Sequence, residues 1–147
     1  MPTGETPRQM LFAAAWRGEE QVVKDLINGK RVPINAVDEN HVTALRFTAQ
    51  YGHTDLTKFL LDRGADPNIK AHDKIDPLLS AVEQGHKEII LLLLDNGAKV
   101  NTRTNFTNAI LLSREKGHSE IEQILRDHGG TESMGWLKDH GIKCAIS

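Results

Sequence analysis

The chain has 147 residues, of which 18 are basic and 20 acidic, so its net charge is −2 at neutral pH. Hydrophobic residues make up 39% and charged residues 26%, a balance that indicates a folded domain and excludes a wholly disordered chain. This charge balance provides no basic surface for nucleic acid, and no apolar run approaches the ~20 residues of a membrane span.

A pattern with a period of 33 residues runs through most of the sequence. A glycine–histidine pair recurs as Gly52-His53, Gly85-His86 and Gly117-His118. Three asparagines keep the same spacing, namely Asn35, Asn68 and Asn101. We expect these asparagines to hydrogen-bond the backbone of a hairpin. Because several positions keep the period together, the chain is predicted to be a stack of structural repeats.

In chain order, a weaker first copy precedes three clear ones. The first copy covers 11–35 and has Glu19 where the others have the histidine of the pair. The second copy predicts a short apolar helix over 45–51 and a second helix over 55–63. Apolar residues at i, i+3 and i+4 form one buried face of that second helix: Leu56, Phe59 and Leu60.

The third and fourth copies repeat this helix–turn–helix unit over 78–101 and 110–130. A side chain that can cap a helix stands two residues before the first core aliphatic residue of each clear copy: Thr43, Asp76 and Asn108. The remaining stretch contains Trp136 and Leu137, and it predicts a short capping helix or a tail.

These segments resemble ankyrin repeats, whose pattern runs T-P-L-H, then A-A-x-x-G-H, then V-x-x-L-L-x-x-G-A-x-x-N. The resemblance implies an all-α fold, a solenoid of about four helix–turn–helix repeats with hairpin-like fingers. The implied ankyrin-repeat domain covers 1–130, with repeats at about 6–37, 38–70, 71–103 and 104–130. Residues 131–147 would then form a C-terminal capping segment or tail.

The sequence departs from the ankyrin pattern at two kinds of position. The T-P-L-H tetrad has lost its histidine in every clear copy, where the residues are Arg46, Leu79 and Leu111. The glycine of the finger tip is replaced by His41 and Lys74, and the last finger is one residue shorter. We therefore expect finger tips of altered conformation.

The resemblance also implies that the chain binds another protein through its concave face. We define the concave face as the two residues before each helix-breaking glycine together with the finger residues. The helix-end residues are Trp16, Arg17, Gln50, Tyr51, Glu83, Gln84, Glu115 and Lys116. The finger residues are Glu39, Asn40, Val42, His72, Asp73, Ile75, Thr104, Asn105 and Phe106. On this interpretation the chain is a monomer that acts as a small regulatory or inhibitory subunit.

Within the concave face, Trp16, Tyr51 and Phe106 are the candidate anchors, because aromatic and arginine side chains dominate interface energetics. The alternatives are that Trp16 packs under an N-terminal cap and that Phe106 tucks into the shortened finger. Arg46, which replaces the histidine of the tetrad, either reaches into the groove or is a solvated charge.

The histidines raise the question of metal or acid–base chemistry, but none has the spacing of a ligand set. His53, His86 and His118 occupy the glycine–histidine position, to which the resemblance assigns a structural role between repeats. The sequence has no glycine-rich phosphate loop, no G-x-S-x-G motif and no kinase signature. We therefore predict no catalytic residue, no bound metal and no cofactor.

The last four residues, Cys144-Ala145-Ile146-Ser147, form a C-a-a-X sequence whose final serine fits farnesylation. Cys144 is the only cysteine and no secretory signal is visible, so we expect a cytoplasmic protein, with a nuclear location as the alternative. If Cys144 is prenylated, the chain becomes a lipid-tethered signalling adaptor at a membrane. Otherwise the thiol is buried beneath a capping tail.

Overall fold

Eight short helices alternate with loops along residues 4–132, the part of the chain that this computed structural model describes. In chain order they are α1 Pro7–Arg17, α2 Glu20–Asn28, α3 Ala44–Gln50, α4 Thr54–Asp62, α5 Pro77–Gln84, α6 Lys87–Asp95, α7 Ala109–Glu115 and α8 Ser119–Asp127. Consecutive helices pair, which confirms the predicted all-α stack of four helix–turn–helix repeats. The predicted capping segment from residue 133 onward, with Cys144, falls outside the described residues.

Side-chain caps determine where the first helix of each repeat begins. The Thr6 hydroxyl accepts a hydrogen bond from the Gln9 amide, and the Thr6 amide donates to Oε1 of Gln9, forming a capping box just before Pro7. The three predicted caps are confirmed, since each accepts a hydrogen bond from an amide of the first helical turn: Thr43, Asp76 and Asn108. Caps of this kind typically contribute about 1 kcal/mol.

The helices form two layers with the core between them. The first helices α1, α3, α5 and α7 pack on one another in sequence, and α4 packs on α6 in the second layer. The same positions of successive repeats supply the core: Leu11, Leu45, Leu78 and Ile110 from the first helices, and Val23, Leu56, Ile89 and Ile121 from the second. Burying each such side chain contributes about 1.5–3 kcal/mol, so the stack is a stable support for the fingers.

The glycine–histidine pair joins each repeat to the one before it. The ring Nε2 atoms of His53, His86 and His118 donate to carbonyl oxygens of the preceding repeat, at 2.9, 3.1 and 3.5 Å. A Cβ atom on Gly52 would lie 2.9 Å from Cε1 of His86, so a side chain at this position would displace the histidine ring. The first repeat has Glu19 at the position of these histidines.

The finger tips keep their turn without glycine. His41 and Lys74 adopt the left-handed backbone conformation, with φ of 64° and 68°. The expectation of altered tips is therefore wrong for these two fingers, because their backbone takes the conformation that glycine would have supplied. The last finger is shorter, as predicted, and its turn is held by the Thr104 hydroxyl, which accepts from the amides of Phe106 and Thr107.

The periodic asparagines hydrogen-bond backbone groups, as expected from the sequence, but the groups belong to the next repeat. Asn35 Oδ1 accepts from the Asp66 amide at 2.8 Å, and Asn68 Oδ1 accepts from the Lys99 amide at 2.9 Å. The amide of Asn68 also donates to the Gly97 carbonyl at 3.0 Å. These bonds fix the distance between neighbouring fingers.

Candidate protein-binding surface

The exposed aromatic side chains of the described residues all belong to the concave face. Trp16 is 49% exposed, Tyr51 47% and Phe106 91%, and no other large hydrophobic side chain within 4–132 is as exposed. A folded chain leaves aromatic rings in water at a cost, and it does so mainly where a partner will cover them. Exposure therefore distinguishes the three predicted anchors from the core.

Trp16 and Tyr51 form a pair across the first two repeats. Trp16 lies near the end of α1, and Tyr51 caps the end of α3. Their ring centroids are 6.1 Å apart in an edge-to-face arrangement of 67°. The contact holds both rings in place while leaving about half of each exposed, so the alternative of a Trp16 side chain packed under an N-terminal cap is wrong.

Phe106 stands on the last finger beside a cleft of about 300 Å³. Apolar side chains of three elements line this cleft, among them Ile75, Leu79 and Leu112. The carboxylates of Asp73 and Glu83 lie at the same cleft. Phe106 does not tuck into the shortened finger, because its amide, and not its ring, makes the contact with Thr104.

Arg46 is buried rather than reaching freely into the groove, which corrects both interpretations of this residue. It is 9% exposed, and its Nε atom donates to Ser80 Oγ at 3.1 Å. Its two terminal nitrogens donate to the carboxylate of Asp73 at 3.0 and 2.8 Å, a bidentate ion pair that joins α3 to the next finger. Arg46 therefore positions Asp73 and offers a partner little surface of its own.

This ion pair also determines the acidity of Asp73. Partial burial acts to raise the pKa of Asp73, but the hydrogen bonds from Arg46 and the Ile75 amide, with the charge of Arg46, outweigh it. The net result is a pKa below the ordinary value of 3.8. Asp73 therefore stays ionised at neutral pH, and its half-exposed carboxylate keeps a negative charge at the cleft.

Val42 is the other residue that was wrongly placed on the concave face. It is 9% exposed, because the residue before the capping threonine packs inward at the base of its finger. The other predicted residues reach the surface. The exposed residues are Arg17, Glu39, Asn40, His72, Gln84, Asn105, Glu115 and Lys116, whereas Gln50, Glu83, Ile75 and Thr104 are half-buried.

The first two finger tips touch each other through a residue that the sequence did not suggest. The ring of His41 stacks on that of His72, with centroids 5.7 Å apart, and Nδ1 of His41 lies 3.0 Å from the Lys70 carbonyl. The His72 amide donates to the Asn40 carbonyl at 3.0 Å. Leu79 of the apolar cleft was also missed, although its place at the lost tetrad histidine was a usable signal.

Neither a metal-holding cluster nor a membrane-spanning helix occurs in the part of the chain that is described. Among residues 4–132, no three histidine, cysteine or carboxylate side chains are grouped so that they could hold a metal ion. None of the eight helices is long and apolar enough to cross a membrane. The features that distinguish the concave face are its aromatic rings, its apolar cleft and its carboxylates.

Comparison with known proteins places these features in a family. A family model described as "Ankyrin repeats (3 copies)" matches residues 11–104. The chain is 45% identical over 58 residues to Palmitoyltransferase akr1 of Schizosaccharomyces pombe, a match that covers 40% of this chain and 9% of that protein. It is 42% identical over 69 residues to Ankyrin repeat-containing protein P1E11.10 of the same species, covering 46% of this chain and 32% of that protein.

A viral relative covers more of the chain. Putative ankyrin repeat protein FPV222 of Fowlpox virus is 31% identical over 110 residues, which is 75% of this chain and 15% of that protein. The chain therefore spans a third or less of the length of these relatives. Ankyrin repeats generally serve as non-enzymatic modules for protein interaction. With the repeat joints, the fingers and the family match in agreement, the chain belongs to the ankyrin-repeat family.

Proposed function

We propose that this chain binds a protein partner through its concave face and acts as a small regulatory or inhibitory subunit. One observation carries the proposal: the most exposed large apolar side chains within 4–132 are Trp16, Tyr51 and Phe106. All three stand at first-helix ends or on a finger, where the repeat fold does not need them for stacking.

The energetics of protein interfaces support this choice of anchors. A few aromatic residues usually supply most of the binding energy, with about 2 kcal/mol or more lost when one is truncated. The Trp16–Tyr51 pair and Phe106 lie on different repeats, so one partner would span the length of the stack. The concave face would act by occupying the partner's surface, which is the basis for a regulatory or inhibitory role.

The test is affinity capture from native lysate, with mass-spectrometric identification of the bound proteins. The bait would be compared with a triple variant, Trp16→Ala, Tyr51→Ala and Phe106→Ala. A matched control changes three exposed residues of the second-helix layer: Lys58→Ala, Glu88→Ala and Gln123→Ala. Circular dichroism of each variant would show that the helical stack is intact.

The proposal predicts a protein that is retained by the wild type and the control but lost by the concave-face variant. Its affinity for purified wild type should then fall at least tenfold in each aromatic single variant that contacts it. Equal retention by all three baits would place the binding surface elsewhere and reject the concave face.

A further inference from the structure

A second cleft, between the second and third repeats, is lined by cations. Its volume is about 390 Å³, and it shares no residue with the apolar cleft beside Phe106. Its charged lining residues are Lys70, Lys99, Arg103 and Asp76. Three cationic side chains and one carboxylate line this cleft, so its electrostatic character depends on which cation Asp76 pairs with.

Asp76 is compensated within the protein. Its side chain is 3% exposed, and Oδ1 accepts the Leu79 amide at 2.9 Å as the cap of α5. Its other oxygen accepts from the Thr102 hydroxyl and lies 3.8 Å from Nζ of Lys70. Within residues 4–132, the cation at ion-pair distance from Asp76 is Lys70, so Lys99 and Arg103 are left without an acidic partner.

Lys70 is fixed in place by its own hydrogen bonds. Its ammonium donates to the carbonyl oxygens of Lys74 and Arg103, at 3.2 and 2.7 Å, and to the Thr102 hydroxyl at 2.9 Å. All three donors are thus used, so Lys70 contributes charge to the cleft but no free donor. Burial, followed by the charges of Arg103 and Lys74, lowers the pKa of Lys70 despite the opposing effect of Asp76.

Lys99 and Arg103 provide the free donors. In the region from 4 to 132, neither side chain forms a hydrogen bond or an ion pair. A guanidinium presents paired donors that match two oxygens of a phosphate, and an ammonium adds a compact positive charge. The cleft therefore holds two cations without an acceptor, next to Lys70, whose ammonium is held in place by internal hydrogen bonds.

The repeat fold does not require these cations. Lys70 and Arg103 stand two residues after a periodic asparagine, and the residue at this position of the first repeat is Val37. Asp66 stands at the position equivalent to Lys99 in the preceding repeat. The equivalent interval between the first and second repeats thus has Asp66 and Lys70, one charge of each sign, and the excess of positive charge is particular to the later interval.

We infer that the cleft of Lys70, Lys99 and Arg103 binds a phosphate group. The ligand would place two oxygens on the Arg103 guanidinium and accept from the Lys99 ammonium, with Lys70 as a fixed positive charge behind. This site is separate from the concave face and does not depend on the function proposed for it.

The probe is inorganic phosphate, added to the ¹⁵N-labelled chain at constant ionic strength against sodium chloride. Saturable shifts of the amides around 68–70 and 99–103 are expected. Arg103→Gln with Lys99→Gln should weaken binding by at least about tenfold, the loss of one or more charge-assisted hydrogen bonds. The control, Arg31→Gln, changes an exposed cation far along the chain and should bind as the wild type does.

Two capped tripeptides distinguish the source of the phosphate, one with phosphoserine and one with glutamate between glycines. Tighter binding of the phosphoserine peptide than of inorganic phosphate indicates a phosphorylated protein, and the reverse order indicates a free phosphate compound. The proposal is overturned by non-saturable shifts, by shifts that survive in the double variant, or by a glutamate peptide that binds as well as the phosphoserine peptide.

Discussion

The third repeat meets the second at one boundary and the fourth at another, through the same kind of glycine–histidine contact. In the first, a Cβ on Gly52 would lie 2.9 Å from the His86 ring, and in the second a Cβ on Gly85 would lie 2.9 Å from the His118 ring. Both glycines have left-handed φ values, 77° and 79°. The stacking of helices therefore uses the same contact at both boundaries.

The fingers at these two boundaries differ. At the first, Arg46 binds Asp73 with both terminal nitrogens, and the Asn40 carbonyl accepts the His72 amide. At the second, the finger carries Phe106 with 91% of its surface exposed. A repeat stack can thus keep the contact between its helices constant while one finger carries an ion pair and the next presents an apolar side chain.

The largest expected effect on stability concerns the glycine–histidine contact that both boundaries use. Gly52→Ala and Gly85→Ala should each lower the free energy of unfolding by about 2–4 kcal/mol, since alanine is strained at left-handed φ and its Cβ would displace the histidine ring. Urea denaturation of the purified variants would measure the loss. Similar values at the two sites are expected because the two contacts are the same.

The control for this prediction is Gly64→Ala, which lies in the same repeat as Gly52. Gly64 also has a left-handed φ, 88°, but its added Cβ would meet no atom of the described chain within 4 Å. Its cost should be backbone strain alone, about 1 kcal/mol. If Gly64→Ala destabilised the chain as much as Gly52→Ala, the histidine contact would not be the cause.

A smaller effect is expected for Arg46→Leu, which removes the link between α3 and the second finger. Leucine already occupies the corresponding position of the third repeat as Leu79, so the change should fit the fold. Losing the ion pair and the Ser80 hydrogen bond should cost about 1–2 kcal/mol, because Asp73 remains half solvated. A double-mutant cycle with Asp73→Asn would measure the coupling; additive losses would show that the pair contributes nothing.

The same link should make stability depend on pH. Because Asp73 has a pKa below 3.8 in the folded chain, its contribution is fully present above about pH 3.8 and is lost as the pH falls through the lower folded value. Asp73→Asn should therefore be less stable than wild type near neutrality, by under about 1 kcal/mol for so exposed a pair. The melting temperatures of wild type and Asp73→Asn should converge at low pH. A difference that stays constant across the pH range would be evidence against the ion pair.

The sequence predicted the helix boundaries better than the contacts of the fingers, for a physical reason. Helix starts follow from local patterns, and Thr43, Asp76 and Asn108 cap the helices that their positions indicate. The finger contacts join residues far apart in sequence: Arg46 and Asp73 are separated by 27 positions. No local pattern shows that an arginine will turn inward to meet such a partner, or that Val42 will be buried. The exposure of Phe106 was likewise one of two open alternatives.

The smallest effect on stability is expected at Phe106, on the last finger. Phe106→Ala should change the free energy of unfolding by less than about 0.5 kcal/mol, because a ring that is 91% exposed gains little from folding. Trp16→Ala is the comparison, since loss of the edge-to-face contact with Tyr51 should cost about 0.5–1.5 kcal/mol. Urea denaturation of both variants would test the order. A destabilisation at Phe106 as large as that at Trp16 would mean that the ring supports the last finger. A near-zero change in the free energy of unfolding would show that the Phe106 ring does not support the fold, as expected of a side chain that binds a partner.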